Sequence, residues 1–272
     1  MTHVDLFSGI GGFALACRHV GLKTICFCEN DPYCQRVLAQ HWPNVPIIDD
    51  VRQFNGHDWP RPTLLTAGFP CTDISIAQTS RERDVAGEST GLYSEMVRVI
   101  GEARPEIALL ENVTNLLTGD DGRWFGQLLR DLAEIGYDAE WHSIPSAHVG
   151  APHQRDRVWI VANPNGEGLE GHGESVKRAG EWFAGSVLQE SVWDKLTADC
   201  VGMANGVPKR VDRLRALGNA VCVPLVEQIL GALQQPRWRN TDLTVAEQQT
   251  TSTASYKGWF CLRLWEAGNN HR

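Results

Sequence analysis

The sequence predicts a doubly wound, mostly parallel α/β sheet carrying a small inserted region. Three observations predict it. Short apolar runs alternate with helix-length amphipathic stretches through the first two-thirds of the chain. A glycine-rich turn, "SGIGGF" at 8–13, follows the first apolar run directly. The stretch from Pro164 to Gly206 breaks the alternation, being rich in Gly and Glu ("NPNGEGLEGHGES") with little periodicity.

Five runs read as successive strands: "HVDLFS", "KTICFCE", "VPIID", "PTLLTAG" and "EIALLENV". Helical spacing is expected over Gly12–Val20, Asp31–Trp42, Leu92–Ala103 and Trp124–Ile135. "AEWHSIPS" and "RVWIVAN" then read as a late strand pair. Regular pattern returns in "GVPKRVDRLRALGNAVCVPLVEQILGAL" and ends in an apolar helix from about Pro224. "TDLTVAEQQTTSTAS" is a polar linker, and "YKGWFCLRLWEAG" is apolar enough to dock. The expected division is therefore a catalytic and cofactor-binding domain over 1–163, an insert over 164–206, a return over 207–240, and a linker with tail over 241–272.

With 272 residues the chain can bury a sizeable core. It has no apolar run of the ~20 residues needed to cross a bilayer, and "MTHVDLFSG" lacks a leader pattern. A soluble, unprocessed, cytoplasmic protein is expected, with no membrane partner. The eight cysteines, Cys17, Cys26, Cys28, Cys34, Cys71, Cys200, Cys222 and Cys261, form no small-domain disulfide pattern. Cys26 and Cys28 alternate along a strand and so point to opposite faces; no Cys or His pair follows at zinc spacing, and no metal is expected. A net charge of −8 argues against a general nucleic-acid coat protein, but a DNA enzyme needs only a favourable local field. "PKRVDRLRALGN" (208–219) sets Lys209, Arg210, Arg213 and Arg215 against Asp212, a run that a solvated helix face explains equally well.

"DLFSGIGGF" (5–13) is a strand, a glycine turn and a helix start. Glycines let backbone amides approach a ligand, and a helix N-terminus favours negative groups. The spacing G-x-G-G is not the dinucleotide G-x-G-x-x-G, and a plain tight turn also fits it. The next strand ends in Glu29, where an acid commonly bonds ribose hydroxyls, and the third in Asp50, placed to accept from an adenine amino group. A glycine turn and two acids on three successive strand ends describe a nucleoside-bearing cofactor.

"GFPC" ends the fourth strand and "ENV" the fifth, so Cys71 and Glu111 should converge in the crevice at the strands' carboxyl ends. A thiol beside a carboxyl that can carry a proton suits attack on an electron-poor ring. The residues alone also allow a buried structural Cys71, and a Glu111 that caps a helix or lies on the surface.

In order, "DLFSGIGGF", "ENDPYC", "DDV", "GFPC", "ENV", "HQRDRVWIV", "GVP" and "LGNAV" resemble the cytosine-5 DNA methyltransferase family over nearly the whole chain, and its short bacteriophage or prophage members in particular. The resemblance implies a Rossmann-like methyltransferase sheet, S-adenosylmethionine as cofactor, double-stranded DNA as partner, a small target-recognition insert, and a monomer working in a bacterial cytoplasm. Carried over by residue, Cys71 is the nucleophile toward carbon 6 of a flipped cytosine and Glu111 the group at ring nitrogen 3. Arg155 and Arg157 hold the base and the catalytic groups. Phe7, Gly9, Gly11, Glu29, Asn30, Asp50, Val51, Pro70, Asn219 and Ala220 match cofactor-contacting positions.

Three departures stand out. Thr72 and Ile74 replace the usual Gln and Phe of the cysteine loop, and His153 replaces the Gln that leads the arginine motif. Asp73 sits two residues from Cys71, where an acid would raise a thiol's pKa; it is expected to cap backbone amides of the following helix or loop. The branch that modifies transfer RNA is a rival reading, weakened by the lack of a "CFT" tripeptide. A decayed DNA-binding regulator and a nicotinamide oxidoreductase are the others, disfavoured by the intact Cys71 and Glu111 and by the glycine spacing.

Overall fold

A computed structural model describes residues 1–70, 91–151, 153–164 and 210–233. Cys71, Asp73, the insert from residue 165 onward and the tail lie outside the described residues, and the expected domain boundaries there with them.

Apolar runs become strands as their composition requires. β1 (Thr2–Leu6), β2 (Lys23–Cys28), β3 (Ile47–Ile48), β4 (Leu64–Gly68) and β5 (Ile107–Val113) pair in parallel, in the order β3-β2-β1-β4-β5. β6 (Tyr137–Pro145) and β7 (Asp156–Pro164) form the late pair, and β7 runs antiparallel between β5 and β6 to complete seven strands. Five of the seven residues of β5, "IALLENV", are apolar, as expected for a strand covered on both faces. Among the described strands β3 is much shorter than its run predicts, with Phe27 and Cys28 of β2 as its ladder partners.

Helices cover both faces. On one, α3 (Leu92–Ala103) and α5 (Arg123–Glu134), which follows the short α4 (Asn115–Thr118), set Met96, Ile100, Leu128 and Leu132 on Leu65, Leu110 and Ile160. On the other, α1 (Gly12–His19) and α7 (Val223–Ala232) set Leu15, Leu225 and Ile229 with Leu64, Leu109 and Val161. Neighbouring residues such as Leu64 and Leu65 thus serve opposite cores, the alternation of a pleated strand. α2 (Pro32–His41) starts one residue later than its spacing predicts, because Asp31 is its cap, accepting from the Tyr33 and Cys34 amides with Pro32 at the first helical position. The remaining helix, α6 (Arg210–Asn219), leads into α7 and returns the chain to the sheet.

β1 carries a buried polar chain under the glycine turn. His3 shares one ring nitrogen with the Thr24 hydroxyl (2.9 Å) and the other with Thr66 (2.8 Å), whose hydroxyl donates to Asp5 at 2.6 Å. All four are buried. Burial holds His3 neutral, its pKa lowered to about 3, and pushes the Asp5 carboxyl well above its usual range, with Thr66 opposing and Glu29 reinforcing.

Candidate active site

The order in which the chain adds strands reverses at β1, with β2 on one side and β4 on the other, so a crevice opens beyond the carboxyl ends of these strands. A cleft of about 730 Å³ occupies it. Phe7, Gly9, Glu29, Asn30, Asp50 and Val51 line one end; Pro70, Glu111, Arg155 and Arg157 line the other, and Asn219 and Ala220 also belong to its wall.

The turn after β1 is built from left-handed backbone, with φ of +53° at Phe7, +54° at Gly9 and +85° at Gly11. A side chain at Gly9 would meet nothing within 4 Å, so its face is open to the cleft. Gly11 is the exception among the residues expected to touch cofactor. It is not in the cleft lining, and a Cβ there would lie 2.7 Å from the Trp42 ring. Its place is in the packing of α1 on the end of α2.

Glu29 organises this end. One carboxylate oxygen accepts from the Gly9 amide at 2.7 Å and the other from the Asp31 amide at 2.8 Å. Each oxygen keeps a further lone pair for a ligand hydroxyl. Burial raises the Glu29 pKa, and these backbone amides pull it back. Asp50 accepts from the Arg52 amide at 2.9 Å, which aims its carboxylate from the end of the third strand.

At the other end, ladder register sets Glu111 opposite Gly68, and Glu111 Oε2 lies 3.7 Å from where a Gly68 Cβ would stand. Glu111 is 8% exposed. Its Oε1 lies 3.0 Å from Arg157 Nε, an ion pair without hydrogen-bond alignment. Burial raises the Glu111 pKa, while the Arg157 and Arg155 guanidinium groups oppose the rise. The Asn112 amide donates to the Phe69 carbonyl at 3.0 Å and so fixes the chain two residues before Cys71.

Arg155 lines the cleft as well. Its guanidinium donates to the Gly218 carbonyl at 2.6 Å and the Ala220 carbonyl at 2.9 Å. Arg215 also lines the cleft, on the α6 run that a solvated face explained equally well. Its position one helical turn before Asn219 is the signal that marks it.

Among the described cysteines none is set up as a thiolate. Burial pushes Cys26 and Cys34 up to about 12, and it raises Cys17, Cys28 and Cys222 as well. Among the described residues, no helix is long and apolar enough to cross a membrane, and no cluster of His, Cys, Asp or Glu could hold a metal.

Residues 1–195 match the family model described as C-5 cytosine-specific DNA methylase. The Type II methyltransferase M2.BsuMI of Bacillus subtilis strain 168 is 34% identical over 167 residues, covering 60% of this chain and 42% of that protein. M.SsoII of Shigella sonnei is 29% identical over 198 residues, 71% of this chain and 51% of its own. The chain thus spans about half, or less, of the curated relatives it matches. A Spodoptera frugiperda DNMT2 variant superposes with a TM-score of 0.60 at 13% identity, over 85% of this chain and 99% of that one. The S. pombe Dnmt2 methyltransferase gives 0.52 at 17%, over 70% and 57%. At such identities the likeness is one of fold.

Proposed function

The chain belongs to the C-5 cytosine-specific DNA methylase family, and from that premise we propose that it methylates carbon 5 of a cytosine flipped out of duplex DNA, through a transient bond from Cys71 to carbon 6. The observation that carries this reading is Glu111: a buried carboxyl of raised proton affinity, in register with the strand end that leads to Cys71.

The cleft fits S-adenosylmethionine. Gly9 presents an open backbone face, Glu29 keeps acceptor capacity for the ribose, and Asp50 and Val51, which line the same cleft, would hold the adenine. When bound, the cofactor supplies an electrophilic methyl group. The remaining chemistry falls to the protein. Cys71 forms its sulfur–carbon bond at carbon 6 as Glu111 gives a proton to ring nitrogen 3, which relieves the charge arriving on the ring. Carbon 5 becomes nucleophilic as a result. After it has reacted, its proton passes to a water molecule, the carbon 5–carbon 6 double bond re-forms as the Cys71 sulfur leaves carbon 6 as a thiolate, and Glu111 takes back the proton of nitrogen 3. Arg157 keeps Glu111 oriented through this cycle. A base inside a duplex exposes neither ring face, so flipping precedes all of it, at about a few kcal/mol.

The test is a duplex with 5-fluorocytosine at the target, mixed with the full chain and S-adenosylmethionine. Fluorine cannot leave carbon 5 as a proton does, so the Cys71 bond should survive denaturing electrophoresis. The adduct should need both cofactor and Cys71. No adduct on DNA, or one formed equally by Cys71→Ala, overturns the reading; an adduct on RNA alone moves the substrate to RNA.

A further inference from the structure

Arg155 and Arg157 stand two residues apart, yet they bind different things. Arg157 pairs with Glu111, while Arg155 reaches 63 and 65 residues along the chain to two carbonyls at the end of α6. We propose that Arg155 is a positioning residue for the cofactor side of the cleft, fixing Asn219 and Ala220 by holding the carbonyls on either side of Asn219. This rests on reading the cleft as the S-adenosylmethionine pocket.

Several features point the same way. The last carbonyls of a helix have no partner within it and carry the negative end of its dipole, so a guanidinium there makes charge-assisted bonds. Gly218 and Ala220 both line the cleft, so the bonded carbonyls belong to its wall and not to a remote surface. Arg155 is itself held: the Ser146 amide donates to the Gln154 carbonyl at 2.8 Å and lies 3.3 Å from that of Arg155. Its φ of +33° is a conformation that non-glycine residues rarely adopt and that persists only where the surroundings enforce it. A strained backbone at one end and two carbonyls at the other make a strap from the turn between β6 and β7 to the junction of α6 and α7. Charge alone does not give this specificity. A planar fork can bridge two carbonyls that a lysine's single ammonium would serve less well.

The test measures affinity of the full chain for S-adenosylhomocysteine by calorimetry, without DNA. Arg155→Met should lose roughly tenfold or more, the scale of a lost charged hydrogen bond. Arg155→Lys should recover part of that, a rescue that a purely steric role would not give. Arg130→Met, which removes an exposed arginine of α5 outside the cleft lining, should stay within about twofold of wild type. Thermal melts accompany each variant; if Arg155→Met fails to fold, Arg155→Lys and Arg155→Gln carry the comparison. Tight binding by wild type with unchanged affinity in the Arg155 variants overturns the proposal, and so does an equal loss in Arg130→Met. A wild type that does not bind overturns the cofactor reading of the cleft, and this proposal with it.

Discussion

Arg157 on β7 places its Nε 3.0 Å from Oε1 of Glu111 on β5, across the antiparallel step of the sheet. The pairing works against burial: the guanidinium lowers a pKa that desolvation raises, and the net direction is up. Glu111 is thereby a carboxyl that keeps its proton to higher pH than an exposed one while its orientation stays fixed.

If that proton is used at ring nitrogen 3, Glu111→Gln should cut the single-turnover methylation rate roughly 10²-fold or more, since an amide has none to give. Binding of S-adenosylhomocysteine should be nearly unchanged. A loss of rate below about threefold would assign Glu111 to structure.

The same residue should cost stability. A carboxyl with a raised folded pKa contributes stability below its unfolded value and loses it as pH rises through the folded one. Urea unfolding of wild type and Glu111→Gln at several pH values should therefore show the variant gaining on wild type as pH rises from about 4. A difference that does not vary with pH would contradict the raised proton affinity.

Arg157→Met should move the alkaline limb of the single-turnover pH profile to higher pH, because its charge is the largest influence opposing the rise. The maximal rate should fall too, as Glu111 loses its orientation. A limb that stays in place, or moves down, would show that Glu111 is not the titrating acid.

Much of this was legible in the sequence, and the misses share a physical cause. Strands with apolar runs on both faces, such as β5, announce themselves, and the helix expected over Leu92–Ala103 has those bounds. Glu29, Asp50 and Glu111 could be placed because acids at strand ends of a doubly wound sheet have one crevice to face. Gly11 matches a cofactor-contacting position by resemblance yet lies outside the cleft lining and against the Trp42 ring, and a glycine that admits a ligand and one that admits a Trp ring look alike in one dimension. The Arg155 strap left no trace at all, since its partners are backbone carbonyls and any residue has one. Asn112 acts on a carbonyl too, that of Phe69, and "ENV" drew attention to its glutamate alone.

Gly11→Ala should destabilise the fold by about 2–4 kcal/mol, combining left-handed strain with overpacking. A Cβ there meets Trp42 at 2.7 Å with Leu38 behind at 3.0 Å, and Trp42 is itself packed edge-on to Phe27. Thermal or urea unfolding checks this. A change below about 0.5 kcal/mol would mean the ring can move aside.

The buried chain on β1 predicts opposite pH responses from two residues that share one threonine. His3 has a folded pKa lowered to about 3, so it adds stability above its unfolded value near 6.5 and loses it as pH falls from there toward 3. Asp5 has a raised folded pKa, so its contribution is complete at low pH and is lost as pH rises through that value. Between them, the protein should be squeezed from both sides. Asp5→Asn leaves an oxygen to accept from Thr66 and removes the ionisation, so it should unfold at higher urea than wild type on the alkaline side. His3→Gln should flatten the decline below pH 6.5, at the cost of imperfect bonds to Thr24 and Thr66, on the order of 1–3 kcal/mol at neutral pH. Because both act through the sheet beneath the glycine turn and neither lines the cleft, S-adenosylhomocysteine affinity measured where each variant is folded should match wild type. A pH–stability curve for Asp5→Asn that parallels wild type throughout would show that the Asp5 carboxyl is already free to ionise, and that its buried surroundings do not hold the proton.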